Sequence, residues 1–573
     1  MESELRKRRS GGENKAKGKT RKGKKLLHVA PLNTPLSNRL ETIGIIWHTI
    51  SIPTFTILFL YTLSLGVLGW LLIVLPYFIW WYGFDLHTPS NGKVVYRVRD
   101  WMKNLIIWEW FVDYFPIRVY KSCDLEPTFS TIPVAVESLP DDEEDLVSEH
   151  SRTLIDGIFK KLGLSKRLND IDGYLPPPTG SNNKDPVLYH LKKVTTGPRY
   201  IFGYHPHGVI SMGVMGLFAT NALRNEPFQP IFNFLKPLFH DSSKGKRILP
   251  GIGNIFPLTL TTQFTLPYYR DYLLGLGLTS ASSKNIKSLI NNGDNSVCIV
   301  VGGAQESLLN QMVAPRGRVG SGYKHEDTED ETEEETEEET ATDSKEDAKK
   351  NAKENSKADS REDLASEKNE KSKEEGEKEG NEQGSKREIK LVLNRRKGFI
   401  KLAIELGNVS LVPTFAFGEA DIYRLNTPKP GSLGNAFQKW MKSTFQFTLP
   451  FFSARGVFIY DFGFLPYRNP INIVIGNPIH VPEGVLAEYK QTHPEFDDSQ
   501  PALALAGKNR NGSFSSLFLL SSLKRTTPNA TKKNIPQELI DRYHKLYVDE
   551  LKRVFEENKH KYGYEDVSMS IIE

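Results

Sequence analysis

Apolar and polar positions divide the chain into one long uncharged stretch, a series of short apolar runs between amphipathic segments, and three polar excursions. Between Glu41 and Asp85 lie 43 residues without a Lys, Arg, Asp or Glu, and His48 is the only titratable side chain there besides tyrosines. A spanning helix takes about 20 residues, so one straight helix of this length would overshoot a bilayer about twofold. Pro53, Pro76, Gly66 and Gly69 supply break points. The pattern predicts a hairpin over 42–84, as two short passes at roughly 43–62 and 66–84 or as a re-entrant loop. Its flanks are basic, with Arg39 and the N-terminal tail on one side and Lys93, Arg97, Arg99 and Lys103 on the other. Basic flanks stay cytosolic, so both ends are expected in one compartment. A secretory signal fits poorly, because the run is too long and lacks a small-residue cleavage site.

The following segment, Trp101–Pro116, holds three tryptophans and several other aromatics among a few charges. That composition suits the headgroup zone of a membrane, and equally an amphipathic helix packed on the next domain.

Beyond it the periodicities alternate. Tyr200–Tyr204, Val297–Val301, Val409–Phe415 and Ile471–Ile475 read as buried strands. Ser282–Asn292 and Gly398–Leu406 carry helical stripes, the second with Phe399, Leu402, Ala403 and Leu406 at i, i+3, i+4 and i+7. A C-terminal helix is expected from Pro536, with Leu539, Tyr543, Leu546, Tyr547, Leu551 and Val554 as its apolar stripe. Strands alternating with helices predict an α/β domain with a largely parallel sheet, spread over 95–320 and 389–573. Polar sequence at 130–195 reads as a surface excursion with one short helix at 152–163, and 495–534 as another loop. Residues 321–388 are low-complexity and too poor in apolar side chains to offset ordering entropy, so they are expected to be a disordered insertion.

Charge sharpens this picture. The net +4 combines a local +8 on residues 1–25, within a basic tail expected to be disordered over 1–40, with −13 on the acidic insertion. The remainder carries +9 and suits anionic partners such as phosphorylated substrates or lipid headgroups. Apolar residues make up 39%, too few for a polytopic transporter, and two cysteines cannot form a disulfide framework. No Rossmann or Walker fingerprint and no Gly-x-Ser-x-Gly elbow is present, which disfavours nucleotide binding and serine-hydrolase chemistry. The basic tail is better explained by a membrane surface than by nucleic acid.

Three clusters carry candidate chemistry. His205-Pro206-His207-Gly208 leaves a predicted strand and leads into a small-residue helix at 210–222. An imidazole can take a proton from a hydroxyl near neutral pH. A metal pair is disfavoured, because no third ligand cluster accompanies the histidines. Gly302-Gly303-Ala-Gln-Glu306 follows the next strand. Its glycines let N–H groups approach an oxyanion, and Glu306 could orient a histidine or bind a hydroxyl. Alone, such a pair is as often a simple turn. Arg395, Arg396 and Lys397 open the Gly398 helix, where cations suit a phosphorylated ligand but also occur as a plain surface cluster.

Taken together, His205-Pro-His-Gly208, Val301-Gly-Gly-Ala-Gln-Glu306, Arg396-Lys-Gly-Phe-Ile-Lys-Leu-Ala403 and Leu411–Glu419 resemble the type-2 diacylglycerol acyltransferases, especially fungal members. Tyr114-Phe115-Pro116, Tyr269–Leu273, Arg455-Gly456 and Pro466-Tyr467 extend the resemblance. It implies acyl transfer from acyl-CoA, a co-substrate, to diacylglycerol, giving triacylglycerol, with no bound cofactor or metal. It also implies contact with membrane lipids in the endoplasmic reticulum and at lipid droplets. A homo-oligomer is compatible with it. His205, or failing that His207, would be the general base and Glu306 its orienting group. Gly208, Gly302 and Gly303 would hold the oxyanion, Arg395, Arg396 and Lys397 the CoA phosphates, and Tyr114, Phe115 and Pro116 would join the substrate-binding set. In the wider glycerolipid acyltransferases an aspartate lies five residues after the histidine, and here that position holds Ile210. Alternative acceptors are monoacylglycerol, a fatty alcohol or a sterol. A non-catalytic lipid-droplet scaffold is the rival from another class.

Overall fold

The computed structural model describes residues 29–31, 33–135, 173–175, 187–307, 309, 387–425, 431–432, 436, 440, 452–460, 462–493 and 535–572. Most of the basic tail, the helix expected at 152–163, nearly all of the acidic insertion and the 495–534 loop lie outside them.

The uncharged stretch forms two helices, α1 (Leu36–Ser64) and α2 (Gly66–Ser90), each long and apolar enough to cross a membrane and mostly exposed along its length. The break falls at Leu65–Gly66, where Gly66 adopts φ +71°, a left-handed backbone that suits glycine. Pro53 stays inside α1 and does not break it. The helix also begins earlier than the uncharged run predicts. Its first turns keep their charges because Arg39 Nε donates to Thr34 O at 3.1 Å and Glu41 pairs with Arg468 of the α/β domain.

Helix α3 (Ile107–Tyr114) crosses α1 at Gly44, where a Cβ would lie 2.7 Å from Phe111 N. Trp108, Phe111 and Tyr114 are buried. Packing on the domain therefore accounts for most of the aromatic segment, while Trp101 remains half exposed.

A buried ionic cluster ties down the far end of the hairpin. Arg270 donates to Asp85 Oδ2 at 2.5 Å and to Asp85 O at 2.8 Å, and Arg97 bridges Asp85 (3.0 Å) and Asp271 (2.8 Å). Tyr77 Oη donates to Asp271 at 2.7 Å, and Trp80 and Trp81 lie under Arg97 and Arg270. Arg97 is thus committed within the protein, and Lys103 is buried, so the second basic flank is less exposed than its sequence suggests.

Among the described residues, the α/β domain is built on an eight-stranded sheet. In chain order its strands are β1 (Arg118–Lys121), β2 (Arg199–His205), β3 (Ile255–Thr259), β4 (Thr279–Ser280), β5 (Ser296–Val300), β6 (Val409–Phe417), β7 (Asn472–Ile475) and β8 (Ile479–Val481). The spatial order is β1-β7-β6-β2-β5-β3-β4, with β8 also paired to β6. Only the pairings of β6 with β7 and with β8 are antiparallel, so the sheet is largely parallel, as expected. β6 is buried along all nine residues, which is why its sequence is a near-continuous apolar run, interrupted by Ser410 and Thr414, rather than an alternation.

Helices α4 (Ser283–Asn291), α5 (Gly398–Leu406) and α6 (Gln537–Asn558) form where the helical stripes predict. One correction concerns α6. It buries Ile540, His544 and Phe555 beside the expected Leu539, Tyr543, Tyr547, Leu551 and Val554, and leaves Leu546 exposed. A second concerns 130–195. There Phe129–Ala135 and Val187–Thr195 pair antiparallel, with Gly173–Leu175 added outside. Their β-branched residues favour this pairing, and Pro133 is tolerated because its strand is an edge. After the insertion the chain re-enters as strand Arg387–Val392, paired in parallel with Val567–Ile572.

Candidate functional site

The carboxyl ends of the three central parallel strands β6, β2 and β5 lie side by side, and ligands in such sheets bind beyond these ends. β6 leads into Glu419, β2 ends at His205 and runs on through His207, and β5 leads through Gly302–Gly303 into Glu306. The strand order thus brings together four titratable groups from three distant stretches of the sequence.

Glu306 is fully buried. Its Oε1 accepts the His207 backbone N–H at 2.6 Å and its Oε2 accepts Val392 N–H at 3.0 Å. A Cβ on Gly302 would sit 2.1 Å from Oε2, so this glycine lets the carboxylate fold back over its own turn. Burial pushes the Glu306 pKa up to about 7, against the pull of both N–H bonds and of Arg396. The expected pairing of Glu306 with a histidine therefore takes a particular form. The carboxylate fixes the main chain of His207, while the imidazole is held elsewhere.

The His207 ring places Nδ1 3.0 Å from Gly208 O. A carbonyl only accepts, so Nδ1 carries the proton and Nε2 keeps its lone pair. His207 is half-buried. Burial lowers its pKa below the usual histidine range, partly offset by backbone hydrogen bonds. Gly208 adopts φ +60°, and a Cβ there would approach Glu419 O to 2.9 Å.

His205 is fully buried on the face of the sheet that carries α6. Its Nε2 lies 3.0 Å from Tyr547 Oη, which in turn donates to Gly203 O at 3.2 Å. With the hydroxyl proton on Gly203 O, Nε2–H is the donor to Tyr547. His205 Nδ1 is then a buried acceptor without a partner. Burial drives its pKa down to about 3, so the ring stays neutral at working pH. Gly203 is a glycine for a visible reason, since a Cβ there would lie 1.9 Å from the phenol. The two histidines thus present opposite tautomers, with free nitrogens Nδ1 on His205 and Nε2 on His207.

Sequence reasoning missed two groups. Glu419, at the end of the Leu411–Glu419 block, is fully buried and accepts Met212 N–H (2.7 Å), Gly213 N–H (3.0 Å) and Tyr204 Oη–H (2.6 Å). It caps the helical segment Met212–Ala219 that follows the histidines. Burial pushes its pKa up to about 7 against these three donors. A lone carboxylate closing a largely apolar strand was the available signal. Tyr547 was legible only as a core residue, although a buried phenol must place its hydroxyl somewhere.

Arg395 and Arg396 are exposed before α5, and Lys397 pairs with Asp541 of α6 at 2.6 Å. Gly303 has φ +61° and open space around its Cβ position. Tyr114 Oη donates to Pro466 O at 2.6 Å with the Arg468 guanidinium 4.8 Å from its ring, and Phe115 is a core residue beside it. Pro116 is exposed. Among the described residues no group of three or more His, Cys, Asp or Glu is placed to hold a metal ion.

The diacylglycerol acyltransferase family model matches residues 63–132, 186–314 and 376–495, more than half of the chain. Diacylglycerol O-acyltransferase 1 of Eremothecium gossypii is 32% identical over 95% of this chain and 81% of its own length. The Saccharomyces cerevisiae protein of the same name is also 32% identical, over 95% and 88%. The 2-acylglycerol O-acyltransferase 1 of Bos taurus is 25% identical over 94% and 96%. No solved structure matches the chain. With the family model and these relatives in agreement, the chain belongs to the diacylglycerol acyltransferase family.

Proposed function

We propose that the chain transfers a fatty acyl group from acyl-CoA to the free hydroxyl of diacylglycerol, forming triacylglycerol and CoA, with His207 as general base. His207 Nε2 removes the hydroxyl proton while the oxygen attacks the thioester carbonyl. Backbone N–H groups at Gly208 or at Gly302–Gly303 stabilise the tetrahedral oxyanion. Collapse expels the CoA thiolate, which recovers the proton from the imidazolium. No acyl-enzyme, metal or bound cofactor enters this sequence. Glu306 and Glu419 act on the backbone, holding the His205–Gly213 turn from its two ends. Arg395 and Arg396 are available to the CoA phosphates. The observation that carries the choice of base is the Nδ1–Gly208 bond, which leaves Nε2 of a half-buried ring free, whereas His205 is sealed in the core.

On this reading α1 and α2 anchor the enzyme in the endoplasmic reticulum membrane and at lipid droplets, with the site on the cytosolic side where acyl-CoA is made. The name of the bovine relative keeps monoacylglycerol in view as an acceptor. One experiment separates these cases. Membranes carrying the protein receive labelled oleoyl-CoA with diacylglycerol, monoacylglycerol, a fatty alcohol or a sterol, and the labelled esters are identified. Labelled triacylglycerol from the diacylglycerol arm alone supports the reading; an ester from another acceptor only, or from none, refutes it.

A further inference from the structure

Two apolar segments outside the site stand exposed. In Ile231–Phe239, Ile231, Phe234 and Leu238 are 78%, 76% and 54% exposed. In Arg455–Leu465, Phe458, Phe462 and Phe464 are 76%, 79% and 72% exposed. Soluble surfaces rarely present aromatic side chains so densely without a partner.

Both segments are bonded to the same part of the molecule. Val29 bridges Ile459, Ala30 N donates to Phe458 O at 2.8 Å, and Glu41 pairs with Arg468, so the second segment flanks the start of α1. Leu105 bridges Phe239 and Ile106 N donates to Leu238 O at 2.9 Å, immediately before α3, which crosses α1 at Gly44. From Leu36 to Gly44, α1 rises only about 12 Å. Both segments therefore sit at the base of the hairpin, where the apolar helices leave the domain. A bilayer that accepts the hairpin must have its headgroup zone at this level. The first segment also places Lys236 among its apolar side chains, a composition suited to that zone.

We infer that Ile231–Phe239 and Arg455–Leu465 form a second membrane contact, an aromatic rim that inserts into the leaflet around the hairpin base. The occupant is a lipid surface, and the rim opens the domain toward the layer in which diacylglycerol resides. This inference rests on the reading of α1 and α2 as a membrane hairpin.

The test uses the full chain in proteoliposomes, with Cys123 replaced by serine and buried Cys298 left in place. An environment-sensitive fluorophore is attached at F234C, F458C, L71C within the hairpin, or K552C on the exposed side of α6, and spin-labelled phospholipids serve as quenchers. Blue-shifted, quenched emission at positions 234 and 458, as at 71 and unlike 552, is the expected result. Quenching at 71 with 234 and 458 behaving like 552 would overturn the rim and leave the hairpin standing. Absence of quenching at 71 would overturn the hairpin itself, and the rim with it. Because all four positions are exposed, the labelled proteins should keep the wild-type melting temperature, which confirms that each is folded.

Discussion

Tyr547 Oη and His205 Nε2 lie 3.0 Å apart although 342 residues separate them in the chain. The same hydroxyl donates to Gly203 O, so one phenol on α6 fixes both the end of β2 and the tautomer of the first histidine. Tyr547→Phe leaves two buried groups short of a partner, at a cost of about 1–3 kcal/mol. The variant should melt at lower temperature and turn over several-fold more slowly with little change in KM for acyl-CoA. Wild-type stability and rate together would show that the contact contributes nothing.

Removing the base should be harsher. His207→Ala is expected to lower kcat about 100-fold or more, with membrane association unchanged. Because burial holds the His207 pKa below 6.5, the acid limb of the kcat–pH profile should have its midpoint below that value. A near-normal rate in His207→Ala, or an acid limb above pH 7, contradicts the assignment.

Glu419 and Glu306 make stability depend on pH in an unusual sense. Each carboxyl titrates near 7 in the fold and near 4.5 in the unfolded chain. Their favourable contribution is therefore complete below about 4.5 and is lost as pH rises through about 7. Glu419→Gln removes one of the two titrations, so the fall in melting temperature between pH 5 and pH 8 should be smaller than in wild type. Glu419→Ala strands Met212 N–H, Gly213 N–H and the Tyr204 hydroxyl, and should destabilise at both pH values. Identical pH slopes in wild type and Glu419→Gln would show that Glu419 does not titrate in this range.

These residues mark what the sequence could and could not reveal. The central strands and α5 were legible because burial on both faces writes unbroken apolar runs, and a helix writes a 3.6-residue stripe. Histidines and glycines at strand ends were legible because few structural roles need them in that order. Short strands such as Thr279–Ser280 carry too few residues to show a period. The partners of Glu306 are backbone N–H groups of His207 and Val392, which every sequence possesses, so no residue type advertised them. The tie between Tyr547 and His205 depends on how α6 docks, which no local pattern encodes.

The cluster around Asp85 yields a fourth expectation. Arg270 is fully buried against Asp85, so Arg270→Ala leaves a buried carboxylate with one cation fewer, a change that costs about 3–5 kcal/mol for such pairs. The variant should be strongly destabilised in detergent, and Asp85→Asn in the same background should recover part of the loss. Lack of any such recovery would mean that the two side chains are not coupled.

Topology provides the fifth. The start of α1 is paired to the catalytic domain through Glu41 and Arg468, and the end of α2 through Asp85 and Arg270, so both ends of the hairpin meet one body. Tags near residue 10 and residue 560 should both be digested by protease added to sealed microsomes without detergent. The exposed sequon at Asn408, and those at Asn511 and Asn529, should carry no glycan. Protection of a single tag, or glycosylation at any of the three, would establish an odd number of crossings.

The parallel pairing of Val567–Ile572 with Arg387–Val392 has a consequence for the order of events during synthesis. Val392 supplies the N–H that seats Glu306, and α6 just upstream supplies the hydroxyl that seats His205. A nascent chain therefore holds His205 and Glu306 before it holds Tyr547 and Val392, the partners that seat them. The Tyr547–His205 tie and the pairing of Val567–Ile572 with Arg387–Val392 form only after α6 and the strand behind it have cleared the ribosome, by which time the hairpin has had the opportunity to enter the membrane.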